Sequence, residues 1–175
     1  MKKNILLVDH NTDDVDIIKE ILTREMVDIT VAGDEKTAKK LLKNQGFQLV
    51  ITETLLPKSH GFTLCQYISE NYPATKIIII SEKLKEVDYK HEALEYGACE
   101  FLEKPLNPSD FREIAAKHLN INKEEQMMFK NETTKINILP LLDKKKSGKE
   151  KEPDKKDNLA NEIAKEGHPY EIKLD

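Results

Sequence analysis

The sequence predicts an α/β domain: a doubly wound, five-stranded parallel sheet covered by helices on both faces, followed by a mostly disordered tail. Two observations carry this. Short apolar runs recur through residues 1–120 (NILLV, FQLVIT, KIIII), each rich in β-branched residues and too short for a typical helix, as in strands buried on both faces. Between them lie segments with apolar residues at helical spacing. Alternating strand and helix with short links calls for parallel strands joined by right-handed crossovers.

The elements follow in order. Asn4–Val8 reads as a strand ending on Asp9-His10. Asn11 or Thr12 caps a helix whose first turn carries Asp13, Asp14 and Asp16, acids suited to the positive end of the helix dipole. Val15, Ile18 and Leu22 mark its inner stripe, widened by Ile17 and Ile21. Val27–Ala32 is a thin strand, expected at an edge. Gly33-Asp34 turns into a helix with Ala38, Leu41 and Leu42 inward, ended by Gly46. Phe47–Thr52 is the buried strand around which the domain is organised, and it delivers Glu53. A polar loop leads to Gly61 and a helix lined by Phe62, Leu64, Cys65 and Ile68, stopped before Pro73. Lys76–Ile80 is the most apolar strand and ends on Ser81. A helix is expected around Val87–Tyr96, closed by Gly97. Glu100–Glu103 is a short strand ended by Lys104-Pro105. Asn107-Pro108 starts the last helix, a cap residue followed by proline, with Phe111, Ile114, Ala115 and Leu119 inward.

Composition narrows function. Residues 1–120 carry 16 basic and 20 acidic residues, and residues 121–175 carry 12 of each. Neither part has the basic excess of a nucleic-acid binder. Cys65 and Cys99 lack metal-ligand spacing and read as free thiols of a reducing cytosol. The N-terminal apolar run is too short for a signal peptide or membrane span, so a cytoplasmic location is expected.

Four strand ends carry polar groups that no helical stripe explains: Asp9-His10, Glu53, Ser81 and Lys104. In a parallel sheet these ends open on one edge, where ligands and chemistry gather. Two carboxylates, a hydroxyl and an ammonium converging there could hold a metal and a phosphoryl group.

On these residues the chain resembles the receiver domain of bacterial two-component response regulators (CheY-like, flavodoxin-like fold). The matching segments are LLVDH (Leu6–His10), LVITETLLPKSHGF (Leu49–Phe62), IIIIS (Ile77–Ser81) and GACEFLEKPLNP (Gly97–Pro108). The resemblance covers residues 2 to about 120 and implies the strand order 2-1-3-4-5. It assigns Ser81 and Lys104 to the family's hydroxyl and lysine positions and Phe101 to its switching aromatic, and implies a cis peptide between Lys104 and Pro105.

Two departures shape the functional expectation. The family's phosphoacceptor aspartate is replaced by Glu53, whose extra methylene carries the carboxylate toward the space of the phosphoryl group. The acid pair that holds Mg²⁺ becomes Asp9-His10, and imidazole suits softer metals than magnesium. Asp9 is then the remaining metal ligand, Mg²⁺ binding is weakened by His10, and no other cofactor is expected. Asp13 and Asp14 could compensate for the lost ligand, but their place at the helix start argues for capping first. Glu53 is expected to pair with Lys104 and accept from Ser81.

The function expected is a phosphorylation-independent pseudo-receiver in two-component signalling, not an enzyme. It would work through protein contacts, with a histidine kinase or another receiver as partner, or as a homodimer through the last two strand–helix units. The alternatives are a working phospho-accepting regulator and, more remotely, a flavodoxin-like small-ligand binder, for which no glycine-rich phosphate loop is present. Residues 121–175 read as a separate, largely disordered tail. Its mixed-charge run Lys144–Asn158 buries too little apolar surface to offset ordering. Two islands, Ile136–Leu142 and Asn158–Asp175, read either as covers for the domain or as docking motifs.

Overall fold

The computed structural model describes residues 2–23, 27–82 and 89–122. The tail islands and the start of the Val87–Tyr96 segment lie outside these residues. The elements are β1 (Lys3–Val8), α1 (Thr12–Leu22), β2 (Val27–Ala32), α2 (Glu35–Asn44), β3 (Leu49–Glu53), β4 (Leu55–Leu56), β5 (Ser59–His60), α3 (Gly61–Asn71), β6 (Lys76–Glu82), α4 (Tyr89–Glu95), β7 (Glu100–Lys104) and α5 (Pro108–His118). Five strands form one sheet in the order β2-β1-β3-β6-β7, every pairing parallel. Counting only the sheet strands, this is the expected order 2-1-3-4-5.

The segment after Glu53 differs from expectation. In place of a polar loop, β4 and β5 pair antiparallel as a tight hairpin. Its turn residue Lys58 holds φ at 63°, a left-handed conformation that usually selects glycine or asparagine. Pro57 before it is the turn's sequence signal, while lysine at the left-handed position gives none.

Strand alternation sends side chains to both faces of the sheet. On one face Leu6, Val8, Val50, Ile77 and Ile79 join Ala38 and Leu42 of α2, Phe62, Leu64, Cys65 and Ile68 of α3, and Ala93 of α4 in one core. On the other, Ile5, Leu7, Leu49, Ile51, Ile78 and Ile80 are fully buried, and α1 meets α5. The stripes follow: Ile17, Ile18, Ile21 and Leu22 of α1 are buried, as are Phe111, Ala115 and Ala116 of α5. Val15, Leu41 and Ile114, expected inward, are only half-buried.

The caps place the helix starts at the sheet edge where the site lies. Asn11 accepts from the Asp13 amide, Asp34 from the Thr37 amide, and Asn107 from the Ser109 and Asp110 amides. The Thr37 amide holds the Asp34 carboxyl below its usual range. No helix among the described residues is long and apolar enough to cross a membrane.

Candidate functional site

The parallel register brings the strand ends to one edge as expected. Glu53 closes β3 opposite Ile80 of β6, and Lys104 closes β7 opposite Glu82. Asp9 follows β1, its amide bonded to the Ala32 carbonyl. Asp9, Glu53, Ser81 and Lys104 are all buried.

The centre of the site is the Lys104 ammonium. Its Nζ donates to Asp14 Oδ2 at 2.9 Å and to Asp9 Oδ2 at 3.4 Å, and closely to Glu53 Oε2. Asp9, Asp14 and Glu53 bring carboxylate oxygens within 4.8 Å of one another, all three buried. The backbone completes the set: the Asn11 amide donates to Asp9 Oδ1 at 2.8 Å and the Thr54 amide to Glu53 Oε1 at 2.8 Å. The Lys104 half of the expected Glu53 contacts is therefore present, while the second donor found is the Thr54 amide rather than a hydroxyl. The Lys104-Pro105 peptide is cis, as the resemblance implied.

Electrostatics follow from burial and crowding. Burial pushes the Glu53 carboxyl above its usual range, and the adjacent Lys104 charge opposes it without cancelling it. Burial also works against the Lys104 charge, but the Glu53 and Asp9 carboxylates outweigh it and hold the ammonium above the ordinary lysine range. The Lys104 ammonium thus serves three acids in a site largely closed to water.

Asp14 departs from the expectation of capping first: Asn11 is the cap, and Asp14 is 5% exposed and bonded to Lys104. A signal was present: Asp14 stands three, four and seven residues before Ile17, Ile18 and Ile21, inside the buried stripe, whereas Asp13 and Asp16 fall on the exposed face. An acid in phase with the core needs a buried partner. His10 behaves in the opposite way. Its ring stands at the rim, 33% exposed, with Nδ1 3.9 Å from Asp9 Oδ1. The third acid of the pocket therefore comes from the first turn of α1 and not from the end of β1.

The remaining positions are framework. Thr52 and Thr54 are buried, their hydroxyls donating to the Glu53 and Ile80 carbonyls. Gly61 follows the hairpin, its amide donating to the Thr54 carbonyl at 2.7 Å. A Cβ there would overlap the Glu53 carbonyl oxygen, so glycine is required for the chain to pass so close behind the acid. Phe101 is half-buried and packs against the core; in that core Phe62 contacts Tyr89 and Tyr96 at ring-centroid distances of 5.6 and 5.7 Å.

Comparison with known proteins agrees with this fold. The family model for the response regulator receiver domain matches residues 5–116. The chain is 32% identical over 124 residues to the response regulator protein PilR of Pseudomonas aeruginosa, covering 71% of this chain and 28% of that protein. It is 30% identical over 117 residues to the alkaline phosphatase synthesis transcriptional regulatory protein PhoP of Bacillus subtilis, covering 67% and 47%. The chain thus spans less than two thirds of the length of these relatives. Among solved structures it is similar to a receiver domain protein of Methanospirillum hungatei (TM-score 0.64, 26% identity, 73% of this chain and 99% of that one). It is likewise similar to the receiver domain of NtrX from Brucella abortus (TM-score 0.62, 25% identity, 67% and 99%).

Proposed function

The chain belongs to the response regulator receiver domain family, and on that premise we propose that it is a pseudo-receiver, signalling through protein contacts without phosphate on Glu53. The observation that carries this reading is the state of the Glu53 carboxylate. One oxygen is taken by the Lys104 ammonium and the other by the Thr54 amide. A nucleophile must present a free lone pair to the phosphorus in line with the leaving group. Here each oxygen already accepts a hydrogen bond from a group fixed in the pocket, so turning a remaining lone pair in line with a phosphorus means giving one of these bonds up.

Lys104 acts as the built-in cation of the pocket. Breaking a buried ion pair of this kind costs about 3–5 kcal/mol, so the arrangement holds the strand ends in one state. The chain catalyses no reaction of its own in this reading. Its output leaves through surfaces, with the last two strand–helix units (β6–α4 and β7–α5) as the docking face for a histidine kinase or another receiver in the cytoplasm.

Asp14 favours the second reading, a working phospho-acceptor. Three buried carboxylates within 4.8 Å of one another fit a hard, oxygen-seeking cation. Asp9, Asp14 and Glu53 would hold Mg²⁺, and the ion when bound supplies positive charge for phosphoryl oxygens. Lys104 already contacts the same three acids, so a cation entering there competes with it.

The two readings separate in one experiment: incubation with Mg²⁺ and acetyl phosphate, read by intact mass. No phosphoryl gain is expected for the native chain, and a stable gain on Glu53 overturns the proposal. Glu53→Asp is the second arm. Uptake in that variant alone assigns the native chain's failure to the Glu53 side chain.

A further inference from the structure

A short run of contacts joins the Glu53 carboxylate to α4. Glu53 Oε1 accepts from the Thr54 amide at 2.8 Å, and the same amide reaches the Ile80 carbonyl at 3.1 Å. The Thr54 carbonyl accepts from the Gly61 amide at 2.7 Å. Gly61 opens α3, and His60 before it gives the helix no side-chain cap, so this bond fixes where the helix starts. Gly61 also lies directly against the Glu53 carbonyl, which leaves no slack between the end of β3 and the start of α3. The next residue is Phe62, 7% exposed. Its ring stacks on Tyr96 at 5.7 Å, with 21° between the planes, and meets Tyr89 at 5.6 Å. Tyr89 is the first residue of α4 and Tyr96 follows its last. Both ends of the helix therefore rest on one ring. Little else holds it: α4 spans seven residues, of which Ala93 is buried. A helix this short is marginal on its own in water, so its local opening is governed by what it rests on. Phe101, which the resemblance casts as the switching aromatic, makes no ring contact among the described residues.

We infer that Phe62 is the side chain through which the state of Glu53 sets how firmly α4 is seated, and that Phe101 does not carry this coupling. The Thr54 amide is the point of choice, because it is shared between two acceptors. With Glu53 in place both hold it. When the carboxylate turns away the amide belongs to Ile80 alone, and Thr54 resettles with Gly61 attached. Phe62 then shifts beneath both tyrosines at once, and α4 moves between a seated and an open state. The coupling is reciprocal: whatever clamps α4 from outside tightens the hold of Thr54 on Glu53. It is the same whether or not Glu53 takes phosphate, since it passes only through the Glu53–Thr54 bond, the Thr54–Gly61 bond and the three rings.

The test is amide hydrogen exchange of the full chain, read residue by residue by NMR. The rates at Ala93, Leu94, Glu95 and Tyr96 report the opening of α4, and those of α2 serve as the internal reference for changes in global stability. Glu53→Gln leaves one acceptor oxygen where the carboxylate has two, so Lys104 and the Thr54 amide are no longer both met. In the native background this change is expected to speed exchange in α4, relative to α2, at least about fivefold. In a Phe62→Leu background it is expected to move the same ratio by less than about twofold. In a Phe101→Leu background the full effect is expected to remain. Tyr89→Leu combined with Tyr96→Leu cuts the same contacts at two half-exposed positions. That pair is expected to abolish the effect as Phe62→Leu does, and it supplies the reading if Phe62→Leu unfolds the core. An α4 ratio that Glu53→Gln leaves unmoved in the native background overturns the inference. So does an effect that survives either set of leucines, or one that Phe101→Leu abolishes.

Discussion

Lys104→Met removes a cation that three buried carboxylates share. The side chain is nearly isosteric, so packing is conserved and the charge is what changes. Lys104 is 6% exposed at its side chain, and Asp9, Asp14 and Glu53 are 1%, 6% and 8% exposed, so solvent screens little. Leaving buried charge without its partner costs about 3–5 kcal/mol. For a domain of this size that corresponds to a melting point lower by about 12–20 °C, taking about 4 °C per kcal/mol. The pH dependence gives a second readout. The folded-state pKa of Lys104 is raised, so its contribution is complete below the ordinary lysine value and is lost only as pH climbs through the higher folded value. Native stability should therefore owe no slope to this group near neutrality. Glu53 is also raised, by burial. A raised carboxyl favours folding below its unfolded value and loses that contribution as pH rises through its folded value. Without Lys104 the opposing attraction is gone, Glu53 rises further, and the variant should regain stability on acidification. The slope would approach about 1.4 kcal/mol per pH unit for one extra bound proton. Urea denaturation of both chains from pH 5 to 8 measures this. A loss under about 1 kcal/mol at pH 7.5, or a larger loss that stays constant down to pH 5, would refute the shared-cation reasoning.

Three further outcomes follow from the same geometry. Asp14→Asn should cost about 2–3 kcal/mol by loss of a charged buried bond, whereas Asp13→Asn, on the exposed side of the same turn, should cost under about 1 kcal/mol; equal losses in denaturation would contradict the placement of Asp14. Gly97 holds φ at 95°, and an added Cβ would stand 2.7 Å from Ser69 Cβ, so Gly97→Ala should destabilise by at least about 1–3 kcal/mol, while Gly46→Ala, with nothing within 4 Å of the new Cβ, should be neutral or slightly stabilising in the same melts. Burial pushes the Cys65 thiol up to about 12 from 9.0, about a thousandfold less thiolate near neutrality; a disulfide reagent at pH 8 should titrate Cys99 first and reach Cys65 only at the unfolding rate.

Much of this was written in the sequence because topology does the assembling. Apolar runs such as Ile77–Ile80 can only be buried strands, parallel strands end on one edge, and Asp9, Glu53, Ser81 and Lys104 stand at those ends. What escaped has two physical causes. The β4–β5 hairpin turns on a lysine at positive φ, so no glycine announces it. Asp14 sits in a first turn, where any acid is already accounted for by the helix dipole. Only its phase with Ile17, Ile18 and Ile21 separates it from its neighbour Asp13. His10 occupies the second acid's place along the chain, whereas in space a third acid is supplied from a helix.

That substitution changes what the pocket can feel. A carboxylate at the end of a strand is anchored by the sheet's hydrogen bonds, but Asp14 rides on α1, a rod held mainly by packing. The Lys104–Asp14 bond is 2.9 Å long and ceases to be one beyond about 3.5 Å. A slide of α1 by less than one residue's rise, about 1.5 Å, is enough to disconnect it. The pocket is thereby mechanically wired to the α1 layer. Anything that grips α1 from outside pulls on the ammonium within, and any change of charge within alters how firmly α1 is seated.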